Sequence, residues 1–120
     1  YKRQVKKAEE LVELSNKKNV TLLVDHTFIY TSAVRKMKEV IESGEIGDIF
    51  YYDSVRINLG LFQHDVNVIW DLAPHDFSIM NYLVRKKPKS LVAVGADHIK
   101  KGLEDIAYIH VNFDNSTFPC

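Results

Sequence analysis

The sequence has little of several features that mark particular classes of protein. It contains one cysteine, Cys120, so it cannot form an internal disulfide, and this usage is typical of a reducing compartment. Its 16 basic and 16 acidic residues balance, so no net field would attract nucleic acid or an anionic membrane. No apolar run approaches the length of a membrane span. We therefore expect a cytoplasmic location, with no nucleic acid and no membrane as a partner.

Glycine is also scarce, and its placement excludes the common phosphate-binding loops. The five glycines are scattered, and no Gly-x-Gly-x-x-Gly turn or Walker loop occurs. The 120 residues, of which 46% are hydrophobic, suit one globular domain or parts of two.

The first half of the chain has the pattern of helices alternating with strands. Residues 2–18 place apolar side chains on one helical face, and Asn19 is a typical helix stop. The apolar run at 20–24 predicts a strand buried on both sides in a parallel sheet. Thr31 or Ser32 can cap a second helix that ends at Gly44. The inward side chains of that helix are predicted to be Ala33, Val34, Met37, Val40 and Ile41.

The second half predicts strands around a central helix. Residues 49–58 alternate apolar and polar side chains, and the polar face either enters a site or is solvated. Residues 59–69 have no clear period, and a loop of this length is more often functional than idle. A helix is predicted to begin near Asp71, and two further strands are predicted at 90–96 and 106–113.

The motif around Asp71 and His75 is the main candidate for chemistry. The two residues are four positions apart, so on one helix they project from the same face. A carboxylate can fix the tautomer of an imidazole, and histidine titrates nearest to neutral pH. The pair therefore indicates acid/base catalysis. The alternative is that Asp71 only caps a helix and His75 lies on the surface.

Two groups of polar side chains accompany this motif. At the carboxyl end of the predicted strand 20–24, where open α/β sheets bind ligands, Asp25, His26 and Tyr30 are candidates. His26 could equally be a hydrogen-bonded interior histidine. The second group precedes the motif and consists of Arg56, Asn58, Gln63, His64, Asp65 and Asn67.

An ordered set of segments resembles the glucose-fructose oxidoreductase/inositol dehydrogenase (Gfo/Idh/MocA) family. The family carries an Asp-x-x-x-His motif at a helix start in its second domain, as in Asp71-Leu72-Ala73-Pro74-His75-Asp76. The region from Arg56 to Asp76 looks nearest to members acting on nucleotide-activated amino sugars. The other similar segments are Lys7-Ala8-Glu9-Glu10-Leu11, Val24-Asp25-His26-Thr27-Phe28, Ala33-Val34-Arg35-Lys36 and Glu42-Ser43-Gly44-Glu45-Ile46-Gly47-Asp48.

The resemblance implies an α/β chain that belongs to two domains. Residues 1–26 would be the last helix and strand of a Rossmann domain. Residues 27–120 would be part of an α+β substrate-binding and oligomerisation domain, an open, largely antiparallel sheet with helices on one face. The chain looks like an internal fragment, with the glycine-rich cofactor motif outside it, so we expect the isolated fragment to be inactive and not to bind NAD.

The resemblance also implies roles for individual residues. The family oxidises a hydroxyl of a sugar or cyclitol with NAD or NADP. His75 would take the hydroxyl proton, and Asp71 would orient His75 or the substrate. Contacts to the sugar or nucleotide-sugar substrate would come from Arg56, Asn58, Gln63, His64 and Tyr30. His26 would lie against the cofactor.

Two other classes of function compete with the dehydrogenase hypothesis. A metal-dependent hydrolase or lyase could draw its ligands from His64, Asp65, Asp71, His75 and Asp76. However, only Asp71 and His75 have an obvious shared face, so we expect no metal. A non-catalytic assembly module would use an exposed sheet face, and homo-oligomerisation through that face is also compatible with an enzyme.

Overall fold

The computed structural model describes residues 2–57 and 64–114 and has a mixed α/β architecture. The helices come first in the chain, and a two-stranded antiparallel sheet follows them. In chain order the elements are α1 Lys2–Lys18, a 3₁₀ turn Thr27–Tyr30, α2 Ser32–Glu42, α3 Val68–Asp71, α4 Ala73–Val84, β1 Pro88–Ala96 and β2 Ile106–Phe113.

The predicted ends of the first two helices are confirmed. The chain leaves α1 at Asn19, which has the left-handed φ of 52° that asparagine tolerates. After α2 it turns at Gly44, where φ is 75° and a residue with a Cβ would be strained.

None of the helices in residues 2–57 and 64–114 has both the length and the apolar character needed to cross a membrane.

Helix α4 packs against α2, α3 and the 3₁₀ turn, and this packing contains the small core. Val34 of α2 and Leu83 of α4 are both 5% exposed. Lys38 is also buried, and its Nζ lies 3.4 Å from the Leu83 carbonyl oxygen and 3.4 Å from Glu42 Oε1. The backbone and the carboxylate thus offset the desolvation of the ammonium group.

The face of α2 that turns inward is narrower than predicted. Val34 is buried, whereas Ala33 and Met37 are exposed, so their prediction as inward residues was wrong. The buried stripe consists of Val34 and Lys38, which are four residues apart. Ala33 and Met37 form the neighbouring row on the helix, and this row faces solvent. Val40 and Ile41 are half-buried at the edge of the stripe.

Strands β1 and β2 confirm the two strands predicted in the second half. Their antiparallel register pairs Ala93 with Ile109 and Val94 with Tyr108. Because side chains alternate along a strand, Ile109 and Val111 share the half-buried inner face. The outer face carries Val92, Val94 and Tyr108, which are 57%, 64% and 76% exposed.

Two predicted strands do not form. Residues 20–24 belong to no helix or sheet, and Leu23 is 80% exposed. A parallel strand is stable only between neighbours, and no described residue pairs with this segment. Residues 49–57 are likewise outside the sheet, and Asn58 lies outside the described residues. The Rossmann remnant and the domain boundary at residue 26 therefore stay predictions.

Candidate functional site

The junction of α3 and α4 places the central motif. Asn67 precedes α3 and caps it with its side-chain oxygen. The short helix ends at Asp71, and α4 begins after Leu72 with Pro74 in its first turn, where proline loses no helical hydrogen bond. The predicted helix near Asp71 is confirmed, since α4 begins at Ala73, but the placement of Asp71 on that helix was wrong, because Asp71 is the last residue of α3.

This break changes the relation between Asp71 and His75. The i, i+4 geometry applies within one helix, and the two residues lie on different ones. Asp71 is exposed, and no hydrogen bond or ion pair joins it to His75 within the described residues. The shared helix face is thus not present, and the catalytic roles of the two residues stay predictions.

The imidazole of His75 is packed against an aromatic ring. Its centroid lies 4.9 Å from that of Phe28 in the 3₁₀ turn, and the two rings meet edge to face at 66°. Its Nδ1 is buried and has no hydrogen-bond partner in the described part of the chain. A buried ring nitrogen of this kind usually has a protein, water or ligand partner, and residues 2–57 and 64–114 provide none for Nδ1 of His75.

Asp76, the residue after His75, accepts three hydrogen bonds from two side chains of the segment 49–57. Arg56 donates to the Asp76 carboxylate from Nε at 3.0 Å and from Nη2 at 3.5 Å. Ser54 Oγ donates to the same carboxylate at 2.8 Å. The guanidinium also lies over the Phe28 ring, 5.0 Å from its centroid, so Phe28 contacts both Arg56 and His75.

The sequence did not single out Asp76 as the partner of Arg56. A signal was present, because Ser54 and Arg56 are two residues apart in an extended segment and therefore project to the same side. Two donors on one side can share one carboxylate, and an acid in the first turn of a helix is favoured by the helix dipole. The sequence alone does not say which of several acids lies opposite.

Three other predicted site residues are not among the described contacts of His75, Arg56 and Asp76. Tyr30 is 62% exposed, and Arg35 lies 5.8 Å from its ring centroid. His26 is half-buried, and the side chain of His64 is exposed. No hydrogen bond, ion pair or ring contact joins any of these three to His75 within the described residues. Asn58 and Gln63 lie outside the described residues, so their roles stay predictions.

A cavity of about 490 Å³ opens between residues 49–56, α4 and β2. Arg56 and Asp76 line one wall, and most of the remainder is apolar. His75 is not among the lining residues, since it faces the 3₁₀ turn from another side of α4. The apolar lining residues include Phe77, Met80, Ile109, Val111 and Phe113.

The described residues do not form a metal centre. No group of three histidine, cysteine, aspartate or glutamate side chains within 2–57 and 64–114 is arranged to hold a metal ion. The ligand set considered in the sequence analysis for a hydrolase or lyase is therefore not assembled in this part of the chain.

The described glycines do not fit a dinucleotide phosphate site. Such a site needs a glycine turn that leads directly into a helix start. Gly44 follows α2, Gly47 precedes the extended segment, and Gly102 lies between β1 and β2. None of them opens a helix, so we derive no step through a bound dinucleotide from these residues.

The helices and the antiparallel sheet define a mixed α/β domain. The GFO/IDH/MocA C-terminal domain matches residues 34–118, and the chain belongs to the GFO/IDH/MocA family. This confirms the family resemblance. The nucleotide-amino-sugar subgroup stays a prediction.

The chain is also similar to an uncharacterized oxidoreductase of Streptococcus pneumoniae serotype 4 (strain ATCC BAA-334 / TIGR4). The two are 22% identical over 125 residues, which cover 91% of this chain and 34% of that protein. The chain thus spans about a third of the length of this curated relative. No solved structure matches the chain.

Proposed function

We propose that the whole protein is an NAD(P)-dependent dehydrogenase that oxidises a hydroxyl group of a sugar, a nucleotide sugar or a cyclitol. This chain would supply residues that bind the substrate and move the proton. The observation that carries the proposal is the buried Nδ1 of His75, which has no hydrogen-bond partner among the described residues. In a domain of this family, the unfilled position suits a substrate hydroxyl group.

In the proposed reaction, the substrate O–H donates to His75 Nδ1, and the imidazole takes the proton as the carbon–oxygen double bond forms. Bound NAD or NADP would supply the acceptor for the hydride that leaves the same carbon. The Phe28 ring holds the plane of the imidazole from one side. Asp71, the last residue of α3, is proposed from the family resemblance to orient the imidazole or a second hydroxyl group.

Arg56 is proposed to bind a substrate hydroxyl or phosphate group. Asp76 engages its Nε and Nη2, which fixes the plane of the guanidinium. The Arg56 nitrogen proposed to donate to the substrate is therefore Nη1. Since the carboxylate offsets the positive charge, we expect Arg56 to direct hydrogen bonds more than to attract anions.

Substitution of His75 in the full-length protein tests the proposal. Reduction of NAD⁺ and of NADP⁺ would be followed with a panel containing a hexose, an inositol and a UDP-linked amino sugar. We expect His75→Asn to lower turnover about 10²–10⁴-fold, the usual contribution of a positioned general base. The dissociation constant for NADH, measured by fluorescence titration, should stay unchanged.

A histidine outside the cluster provides the control. His98 lies between β1 and β2 with a side chain that is 65% exposed, and His98→Asn should keep wild-type turnover. Wild-type turnover in His75→Asn would remove His75 from the mechanism. Failure of the wild-type protein to bind NADH or NADPH would overturn the dehydrogenase proposal as a whole.

We also propose that the protein forms a homo-oligomer through the outer face of the β1–β2 sheet. Val92, Val94 and Tyr108 form a largely exposed apolar surface on this face, and no described element covers it. The contact would join copies of the chain through sheet surfaces, away from His75.

A further inference from the structure

The turn between β1 and β2, residues 97–105, reaches back to the segment that leads into α3. Lys100 Nζ donates to the backbone carbonyl of His64 at 2.7 Å. Asn67 Nδ2 donates to Glu104 Oε2 at 2.7 Å, and the Val68 N–H donates to the Glu104 carbonyl oxygen at 2.9 Å. Glu104 therefore holds two consecutive residues at the start of α3.

Asn67 transmits this contact into the helix. It is 6% exposed, and its Oδ1 accepts a hydrogen bond from the Trp70 N–H at 3.1 Å. Its backbone carbonyl accepts from the Asp71 N–H at 3.0 Å. One amide side chain thus caps α3 with its oxygen and contacts Glu104 with its nitrogen.

The same run of hydrogen bonds continues to His75. The Leu72 N–H donates to the Val68 carbonyl at 3.0 Å, and the His75 N–H donates to the Leu72 carbonyl at 3.1 Å. Because α3 is a single turn that ends at Asp71, its position depends on the cap that begins it. A shift of Asn67 would therefore move the first turn of α4.

Gly95 of β1 leaves the space in which the Glu104 side chain lies. A Cβ at position 95 would be 3.1 Å from Glu104 Cγ, 3.3 Å from its Cβ and 3.0 Å from the Ile106 carbonyl oxygen. These distances are shorter than ordinary van der Waals contacts, so a larger residue would displace Glu104. The strand, the turn and α3 together fix one carboxylate against one amide.

We infer that Glu104 is a positioning residue for the proposed reaction. Through Asn67 it sets the place of α3 and hence the position of His75 relative to the substrate. The inference rests on the proposed function, because it assigns a consequence to the position of His75. The side-chain hydrogen bond of Glu104 is with Asn67, and we infer that the carboxylate acts on the reaction through that residue.

The test compares Glu104 variants in the full-length enzyme, using the panel substrate that the wild-type protein oxidises fastest. Glu104→Ala should lower kcat about 10–10²-fold, the scale of effect expected when a catalytic group is slightly misplaced. The KM for NAD⁺ should not change. Glu104→Gln keeps an oxygen that can accept from Asn67 Nδ2, so it should retain most of the turnover.

Variants that move the carboxylate to position 67 and the amide to position 104 distinguish an effect on positioning from a general loss of stability. Asn67→Asp places a second carboxylate against Glu104 while keeping the cap oxygen, so turnover should fall. In Asn67→Asp/Glu104→Gln the glutamine amide can donate to the aspartate, so turnover should recover. Lys101→Ala, an exposed change in the same turn, should behave as the wild-type protein does.

The double variant His75→Asn/Glu104→Ala shows whether Glu104 acts through His75. It should be no slower than His75→Asn alone, because the group being positioned is absent. The inference would be overturned if Glu104→Ala lowered turnover as much in the His75→Asn background as in the wild-type protein. It would also be overturned by full turnover in Glu104→Ala, or by no recovery of turnover in Asn67→Asp/Glu104→Gln. Wild-type turnover in His75→Asn would instead remove His75 from the mechanism, and with it the part of the proposed function on which this inference rests.

Discussion

The Asp105 carboxylate organises the turn between β1 and β2. Its Oδ2 accepts from the backbone N–H groups of His98 and Ile99, each at 2.7 Å, and its Oδ1 lies 2.9 Å from His98 Nδ1. The hydrogen bond from the His98 side chain, with those from the two N–H groups, holds the pKa of Asp105 below its ordinary value of 3.8. The folded turn therefore favours the ionised carboxylate.

Asp105→Asn should be less stable than the wild-type protein at neutral pH, because an amide presents only one oxygen to three donors. A pKa that folding lowers contributes stability above the unfolded value, and that contribution is lost as pH falls through the folded value. The stability difference should thus be constant near neutral pH and shrink below pH 3.8. Urea unfolding at a series of pH values measures it.

Lys101→Ala serves as the control in the same turn and should unfold like the wild-type protein at each pH. A difference between wild type and Asp105→Asn that stays constant well below pH 3.8 would contradict the assigned cause.

Residue types and spacing identified part of the candidate site. The motif led to His75 because an imidazole four residues after a carboxylate is visible in the sequence. The helical break at Leu72 was not predictable from spacing, since Pro74 is compatible with a first turn wherever that turn begins. The roles of Asp76 and Glu104 depend on contacts 20 and 37 residues distant in sequence, which local patterns do not encode.

At the scale of elements, local sequence patterns predicted the helices and strands correctly where the pattern itself specifies the element. The helices α1 and α2 and the separate strands β1 and β2 were predicted because periodicity and helix-stop residues are local features, whereas the pairing of the two strands was not predicted. Residues 20–24 and 49–57 have strand patterns but depend on neighbouring strands that residues 2–57 and 64–114 do not provide. A strand pattern describes a surface that requires a partner.

The ion pair between Arg56 and Asp76 joins the extended segment 49–57 to α4. The two side chains are 31% and 23% exposed, so the pair is less screened than a surface pair. In the full-length protein, Asp76→Ala should cost about 1–3 kcal/mol, because it leaves a partly buried guanidinium without its acceptor. Backbone amides of residues 49–57 should also exchange hydrogen faster, as measured by mass spectrometry.

A double-mutant cycle with Arg56→Gln isolates the energy of the pair. The Lys36–Glu39 pair of α2 is the matched control, because its side chains are 66% and 68% exposed. Exposed pairs contribute about 0.2–1 kcal/mol. If the two cycles give equal coupling energies, Arg56 and Asp76 do not tie the segment to α4.

At the scale of the whole molecule, little of the apolar surface is enclosed by the described residues. The buried hydrophobic side chains are Val34, Ala73 and Leu83, while large apolar groups on the sheet are exposed. Surface of this kind is typical of a protein that buries it against another domain or another copy.

If copies of the protein associate through the outer face of the β1–β2 sheet, a charge on that face should weaken the association. Tyr108→Glu places a charge on the outer sheet face, where the side chain is 76% exposed. Burying that charge in an interface would be costly, so the full-length protein should dissociate toward monomers. Analytical ultracentrifugation measures the change, and Lys101→Gln, which also lowers the net charge by one unit, is the control. An unchanged sedimentation coefficient in Tyr108→Glu would place any interface elsewhere.

The bonding of the turn at 97–105 has a consequence for how this chain can evolve. Exposed turns between strands are ordinarily where insertions and deletions accumulate. Here Ala96 accepts a hydrogen bond from Asp105, while Lys100 and Glu104 reach residues 64–68, so both sides of the turn are tied at fixed distances. Homologues that keep this arrangement should vary in the composition of the turn while conserving its length.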